Sequence, residues 1–364
     1  MEELPQSSDF RSIVLNHTPL IDVRAPVEFA KGAFPYAVNL PLMNDEERHV
    51  VGIKYKEEGN EEAVKLGHTL VGGALKKARI AAWTKFISNH PDAMLYCFRG
   101  GQRSQISQEW LAQHGKKIVR LKGGYKAFRS WLMQESEQSV EKFKPIVLGG
   151  RTGSGKTILL KRLENAVDLE GLANHRGSSF GRDITPQPGL IDFENTLAYA
   201  LIQKLDQGFE HLIFEDEGKS VGKLYLPRTL VASLSEAPLV VLETPTEERI
   251  EITFDEYVFK AHKKYKEVYC ADYLNVWAED MHEAMQRIQK RLGGQRYKIV
   301  CELFENALNT QKECGSLEAY KVWISYLLSE YYDPMYDYQI EKNTSRILFR
   351  GNALEIEAYL SQYK

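Results

Sequence analysis

The chain has 364 residues, with 47 Lys and Arg against 50 Asp and Glu and a net charge of −3. That length exceeds what one core usually organises, and a 43% hydrophobic content is ample for packing, so two globular domains are expected. The near-balanced charge excludes a global polyanion-binding character, and no apolar run reaches membrane-spanning length. Cys97, Cys270, Cys301 and Cys314 show neither metal-knuckle spacing nor the density of a disulfide framework, so reduced thiols and a cytoplasmic location are expected.

In chain order, the first strong feature is the apolar run Ala93-Met94-Leu95-Tyr96, which reads as a buried strand. It enters Cys97-Phe98-Arg99-Gly100-Gly101-Gln102-Arg103-Ser104, a cysteine at a strand end followed by five residues and then Arg-Ser. Two glycines let the backbone curl so that N–H groups converge on one anion, and an arginine adds fixed positive charge. Such a field also stabilises the thiolate, the nucleophilic form of cysteine. Cys97 and Arg103 are therefore candidate catalytic residues, and Phe98, Arg99, Gly100, Gly101, Gln102 and Ser104 complete a candidate anion loop. The competing reading is a buried structural cysteine before a polar turn.

The flanking segments carry a resemblance. Leu20-Ile21-Asp22-Val23-Arg24-Ala25-Pro26-Val27-Glu28-Phe29, Gly32-Ala33-Phe34, Ala37-Val38-Asn39-Leu40-Pro41 and Ile118-Val119-Arg120-Leu121-Lys122-Gly123-Gly124-Tyr125 resemble, in order, the segments of a rhodanese domain. In that family the loop cysteine carries sulfur as a persulfide. Here five residues separate Cys97 from Arg103 where four are usual, which implies a wider cradle, closer to that of rhodanese-related phosphatases. Tyr96 stands where those phosphatases usually have histidine, which weakens the phosphatase reading. Asp22, Arg24 and Glu28 read as scaffold that ties loops together. The polar, aperiodic stretch from Gln134 to Lys142 reads as a linker, giving a rhodanese-like domain over 1–138 and a second domain over 145–364.

Pro145-Ile146-Val147-Leu148-Gly149 reads as a strand and leads into Gly150-Arg151-Thr152-Gly153-Ser154-Gly155-Lys156-Thr157, which fits G-x-x-x-x-G-K-[ST]. Ile158-Leu159-Leu160-Lys161-Arg162-Leu163 continues with helical spacing, so the strand–loop–helix context of a phosphate-binding loop is complete. Its amides and helix start bind phosphate oxygens, Lys156 reaches the terminal phosphate and Thr157 can ligate Mg²⁺. The pattern recognises a polyphosphate and does not name a nucleoside.

Farther on, Val167 to Leu172 reads as a strand, and His175-Arg176-Gly177-Ser178-Ser179-Phe180-Gly181 as a polar loop facing ligand. His175, Arg176 and Ser178 are its candidate substrate contacts, an ordinary surface turn being the competing reading. His211-Leu212-Ile213-Phe214 is an apolar strand ending in Glu215-Asp216-Glu217, one of which would complete a Mg²⁺ site with Thr157. Pro238 to Thr244 and Ser345 to Gly351 read as further strands, and residues 246–332 as mostly helical. The resulting class is α/β: a rhodanese-like domain, then a parallel-sheet domain with a helical, partly basic extension. Residues 260–298 hold nine basic against five acidic residues, interleaved with Tyr265, Tyr269, Tyr273, Trp277 and Tyr297. Lys263, Lys264, Arg287 and Arg291 there are candidate contacts to a nucleic-acid backbone, with aromatics to stack on unpaired bases. The alternative is an amphipathic helical pair with its aromatics in the core.

The whole chain, with the late Tyr331-Tyr332-Asp333-Pro334-Met335-Tyr336-Asp337-Tyr338 and the five-residue Cys97 spacer, resembles the tRNA 2-selenouridine synthase family. The resemblance implies conversion of wobble 5-methylaminomethyl-2-thiouridine in the tRNA anticodon stem-loop to 2-selenouridine, with selenophosphate as selenium source. It further implies S-geranylation from geranyl diphosphate as the preceding step, with the diphosphate on the Gly150–Thr157 loop, Mg²⁺ beside it and no tightly bound organic cofactor. A selenophosphate-supplying enzyme is an expected partner. Cys97 would either carry selenium covalently or seat selenophosphate, and Phe180, Tyr225 and Leu226 are candidates for the geranyl-tail surface. Two other classes stay open: a sulfurtransferase fused to an ATP-dependent kinase-like or RNA-activating domain, and a non-enzymatic binding module, against which intact Cys97, Lys156 and Thr157 argue.

Overall fold

A computed structural model describes residues 4–363, which divide into two compact units. The first holds residues up to Ser139 together with Gly189–Gln207, and the second holds Val140–Pro188 and Gly208 onward.

In the first unit, β1 (Gln6–Ser7), β2 (Leu20–Asp22), β3 (Ala37–Asn39), β4 (Met94–Tyr96) and β5 (Val119–Leu121) form a parallel sheet in the order β1-β5-β4-β2-β3. β4 is central, and its apolar Leu95 and Tyr96 are wholly buried, so the chain leaves the sheet at Cys97 with a fixed direction. Helices Gln102–Gln113 and Gly124–Ser139 cover the sheet. The stretch read as a linker is in fact helical as far as Ser139, because Ser136 and Ser139 fall on the buried face of an amphipathic helix. Helix Leu190–Asp206, expected in the second domain, packs within the first unit. Ala198, Tyr199 and Ile202 enter the core beside Phe34 and Phe128, and Asp192 accepts from the Ala33 N–H at 2.7 Å.

The second unit has a parallel sheet of β6 (Lys144–Gly150), β7 (Ala166–Val167), β8 (His211–Glu215), β11 (Leu239–Leu242) and β12 (Ile347–Gly351), ordered β12-β11-β6-β8-β7, and a hairpin of β9 (Ser220–Val221) and β10 (Leu224–Tyr225). β6 is central, flanked by β8 and β11, which puts the glycine loop and the acidic strand end side by side at the carboxyl edge. The strand expected at 167–172 ends after Val167. Asp168 accepts from the Gly171 N–H at 2.6 Å and caps helix Leu169–Ala173 instead.

Residues 246–342 are helical, interrupted by short loops and turns, and close around an aromatic core in which Trp277, Tyr320 and Trp323 are buried. Two π-helical turns, Asp255–Phe259 and Leu328–Tyr332, interrupt this region. Among the described residues, no helix is long and apolar enough to cross a membrane.

Candidate active site

In the first unit, Cys97 is buried, and its Sγ lies 3.2 Å from the Ser104 Oγ, which itself donates to the Gly101 carbonyl at 3.0 Å. Gly100 has φ +63, and a Cβ there would meet the Gly123 N at 2.7 Å, so the curl requires glycine. The loop is held from outside: Tyr125 N–H donates to the Cys97 carbonyl and Lys126 N–H to the Phe98 carbonyl, both at 2.9 Å. Arg120 donates to the Gly100 carbonyl at 2.5 Å. Among the described residues, none accepts from the N–H groups of Phe98, Arg99, Gly100 or Gly101, and helix Gln102–Gln113 starts beside them. These free donors and the helix start make the anion cradle. Phe98, Arg99 and Gln102 are exposed around it.

Arg103 does not reach in as free charge. It makes a two-pronged contact to Glu28, at 2.5 and 3.1 Å, and Arg48 reaches the same carboxylate at 3.0 Å. Burial pushes the Glu28 carboxyl up, but the two guanidiniums more than offset it and hold its pKa below the ordinary value. Arg103 is thus a positioning residue in this state. Asp22 and Arg24 form a buried ion pair at 2.6 Å, with the Arg24 guanidinium 3.9 Å over the Tyr125 ring, so they brace the loop from below.

In the second unit, Gly150, Gly153 and Gly155 all take positive φ, and the loop closes with Lys156 Nζ donating to the Gly150 carbonyl at 2.6 Å. Desolvation holds the Lys156 pKa below its usual value against the pull of Glu170, Asp216, Glu217 and Glu215, so an incoming diphosphate would strengthen its charge. Thr157 donates to Glu170 at 3.1 Å. The loop is fastened by the late tyrosine motif. Arg249, buried, donates to the Thr152 carbonyl at 3.0 Å and grips Asp333 at 2.6 and 3.0 Å, while Arg151 pairs with Asp337 at 2.6 Å. Ser154 is buried against Gly150.

The three acids after β8 separate in role. Glu215 is buried and accepts from the Leu169 N–H at 2.8 Å; burial and neighbouring carboxylates push it up to about 9. Its other oxygen, Oε1, is buried without a hydrogen-bond partner among the described residues, and its charge acts on Lys156. Asp216 faces Lys156 and Tyr336, whereas Glu217, pushed up to about 8 chiefly by burial, shares a hydrogen bond with Glu170. No group of three His, Cys, Asp or Glu among the described residues stands ready to enclose a metal alone. Thr157 and one neighbouring carboxylate are hard oxygen donors of the kind Mg²⁺ takes, in the small number it needs from a protein. Glu170 was absent from the sequence expectations; its position on a helix, where a strand was expected, hid it.

The His175–Gly181 loop joins this cluster. A Cβ on Gly177 would meet Glu217 and Glu170 oxygens at 2.4 and 2.5 Å, so only glycine allows that approach. Ser178 Oγ lies 3.2 Å from the Tyr257 hydroxyl, and Arg176 sits 5.1 Å over the Tyr257 ring and 3.4 Å from Glu256. His175 is half-buried with Nδ1 unpartnered, and desolvation, with Arg182 and Arg287 nearby, holds its pKa below the usual value. Tyr257 and Tyr332 come from the two π-helical turns, which no periodicity in the sequence marks.

The remaining candidates divide. Lys263 and Arg291 are exposed, whereas Lys264 binds Asp183 at 2.6 Å and Arg287 binds the Ser179 carbonyl at 2.9 Å, so these two are tied to the Ser179–Asp183 segment. Trp277 and Tyr265 are in the helical core and cannot stack on bases; Tyr269 is exposed. Phe180 is buried edge-on to Trp323, Leu226 is buried and Tyr225 is exposed on its hairpin, so they do not make a common apolar surface.

Two family descriptions match this chain: a rhodanese-like domain over residues 8–131, and the AAA domain of tRNA 2-selenouridine synthase over 143–364. A protein of Sulfurovum sp. (strain NBC37-1) named tRNA 2-selenouridine synthase is 84% identical, with 100% of both chains covered. Proteins with the same name from Hydrogenovibrio crunogenus and Pseudomonas putida KT2440 are 51% and 48% identical, covering 99% and 98% of this chain and 99% and 97% of theirs.

Proposed function

Because the chain belongs to the tRNA 2-selenouridine synthase family, we propose that it replaces the sulfur of a tRNA 2-thiouridine with selenium in two steps, one at each anion loop. The observation that carries this reading is the presence, in one enzyme chain, of a cysteine cradle and a separate lysine–threonine cradle, each at the carboxyl end of a central parallel strand.

In the first step the thiocarbonyl sulfur attacks the first carbon of geranyl diphosphate. The C–S bond forms, the C–O bond to diphosphate breaks and the N3 proton leaves. Lys156, the loop amides and the start of helix Lys156–Leu160 neutralise the departing diphosphate. Thr157 and a neighbouring acid would hold a Mg²⁺, which would supply further charge neutralisation when bound. A carboxylate of the Glu170–Glu217 pair, its pKa raised, is suited to take the proton.

Alkylation makes the sulfur a thiol-type leaving group. In the second step selenium from selenophosphate attacks C2 of the base, the C–Se bond forms and geranyl thiol departs. Water cleaves the P–Se bond to release phosphate, and N3 regains a proton. The Cys97 cradle seats the selenophosphate, its oxygens on the free N–H groups of residues 98–101 and its selenium against the Cys97 Sγ, a soft contact that a serine hydroxyl does not reproduce. The exposed Lys263 and Arg291 face solvent where an RNA backbone is accessible to them.

Calorimetry with geranyl diphosphate and ATP tests this reading. Geranyl diphosphate binds and Lys156→Ala weakens it at least tenfold; tight binding and turnover of ATP with no binding of geranyl diphosphate would favour a kinase-like function.

A further inference from the structure

The first unit contains a cavity of about 420 Å³ that none of the steps above uses. It lies between the Cys97-loop helix and the segment Asp45–Leu70, and Met43, Val51, Val64, Ile106 and Trp110 line it with apolar surface. Its volume is that of a small-ligand pocket.

The cavity is joined to the anion loop by one helix. Gln102 and Arg103, the first residues after Gly101, line the cavity, and so do Ile106 and Trp110 farther along the same helix. Spacings of four and eight residues from Gln102 place these side chains on one face, which advances about 12 Å along the axis. The face is thus polar at the cradle, with Gln102 and Arg103, and turns apolar at Ile106 and Trp110 as it leads away. The opposite wall is the Asp45–Leu70 helical segment, broken at Gly59, where φ is +85. Ile53 and Tyr55 on that wall remain exposed, so the apolar character continues to the surface.

A ligand complementary to this arrangement has its reacting atom at the cradle and an apolar chain attached to it. We propose that the cavity receives the ten-carbon chain of the S-geranyl nucleoside while selenium displaces the thiol at the Cys97 loop. The site is one for a prenyl thioether, in the rhodanese-like unit and apart from the diphosphate loop. This assignment rests on the two-step reading above. It gives the displacement step a means of selecting the alkylated base and retaining the leaving thiol, whose C–S bond breaks as C–Se forms.

The test uses the full chain, selenophosphate and anticodon stem-loop RNA carrying either S-geranyl- or S-methyl-2-thiouridine, with 2-selenouridine measured by mass spectrometry. The wild-type chain prefers the S-geranyl RNA in kcat/KM by at least tenfold. Gly52→Trp and Val64→Trp place an indole at the cavity wall; a Cβ on Gly52 meets no atom within 4 Å, so the first change starts without a clash, and circular dichroism checks that both variants fold. Each variant abolishes the preference by raising the KM for the S-geranyl RNA while still converting the S-methyl RNA. An unchanged preference in both variants, or equal loss of both substrates in folded protein, overturns the assignment. A wild-type chain that converts S-geranyl RNA with no preference over S-methyl overturns this inference alone. Failure to convert either alkylated RNA overturns the two-step reading with it.

Discussion

At the scale of single residues, Asp333 illustrates how a functional loop is held by a distant side chain. It accepts two hydrogen bonds from Arg249, a buried guanidinium that also supports the Thr152 carbonyl. Removing one partner of such a pair leaves charge without compensation, at a cost of about 3–5 kcal/mol. Asp333 keeps part of its exposure, so the lower end applies: Asp333→Ala is expected to lose about 3 kcal/mol in urea unfolding and to bind diphosphate more weakly. Glu28→Gln has a different outcome, because it releases Arg103 rather than orphaning a buried ion. Its fold stays intact, while the KM for selenophosphate changes, as measured by steady-state selenation.

At the scale of elements, the helices at 260–269 and 273–292 carry both structure and charge. Lys263→Glu with Arg291→Glu is expected to weaken tRNA binding and lower its salt slope by about 2, one unit per lost phosphate contact, in filter-binding assays across salt. Lys264→Glu and Arg287→Glu would instead disturb the Ser179–Asp183 segment, so their effect falls on catalysis as well as binding. The sequence made the two loops legible, because strand–glycine loop–helix patterns are local. It did not reveal that helix Leu190–Asp206 joins the first unit, since its amphipathic face fits either core. Nor did it reveal Glu170 and Asp333 as neighbours of the phosphate loop, or Tyr257 as a neighbour of Ser178, because an N-cap at Asp168 and two π-helical turns set their positions. The basic, aromatic stretch was ambiguous for a physical reason: tyrosine and tryptophan serve equally as core and as stacking surface, and burial decides.

At the scale of the whole molecule, the helical core imposes a pH dependence on stability. His262 is packed edge-on to Trp277 with Nε2 unpartnered, and desolvation lowers its pKa to about 4. The unfolded chain takes up this proton near pH 6.5, above the folded value, so stability is full above that pH and falls as pH drops toward 4. Each unit of difference is worth about 1.4 kcal/mol. Glu215 and Glu217, raised to about 9 and about 8, act in the opposite sense over the same range, so the His262 contribution is read as a difference between two proteins. In urea unfolding from pH 7 to 4.5, wild type is expected to lose stability relative to His262→Gln as pH falls, and an unchanged difference would contradict this.

The division of labour between the two loops is the central claim, and nucleoside mass spectrometry tests it most directly. Full-length wild type, Lys156→Ala and Cys97→Ser are each incubated with 2-thiouridine tRNA, geranyl diphosphate, Mg²⁺ and selenophosphate, and the tRNA is digested. The wild type is expected to yield 2-selenouridine, Lys156→Ala to leave 2-thiouridine, and Cys97→Ser to stop at S-geranyl-2-thiouridine. Normal 2-selenouridine from Cys97→Ser, or 2-selenouridine from the wild type with geranyl diphosphate omitted, would contradict it.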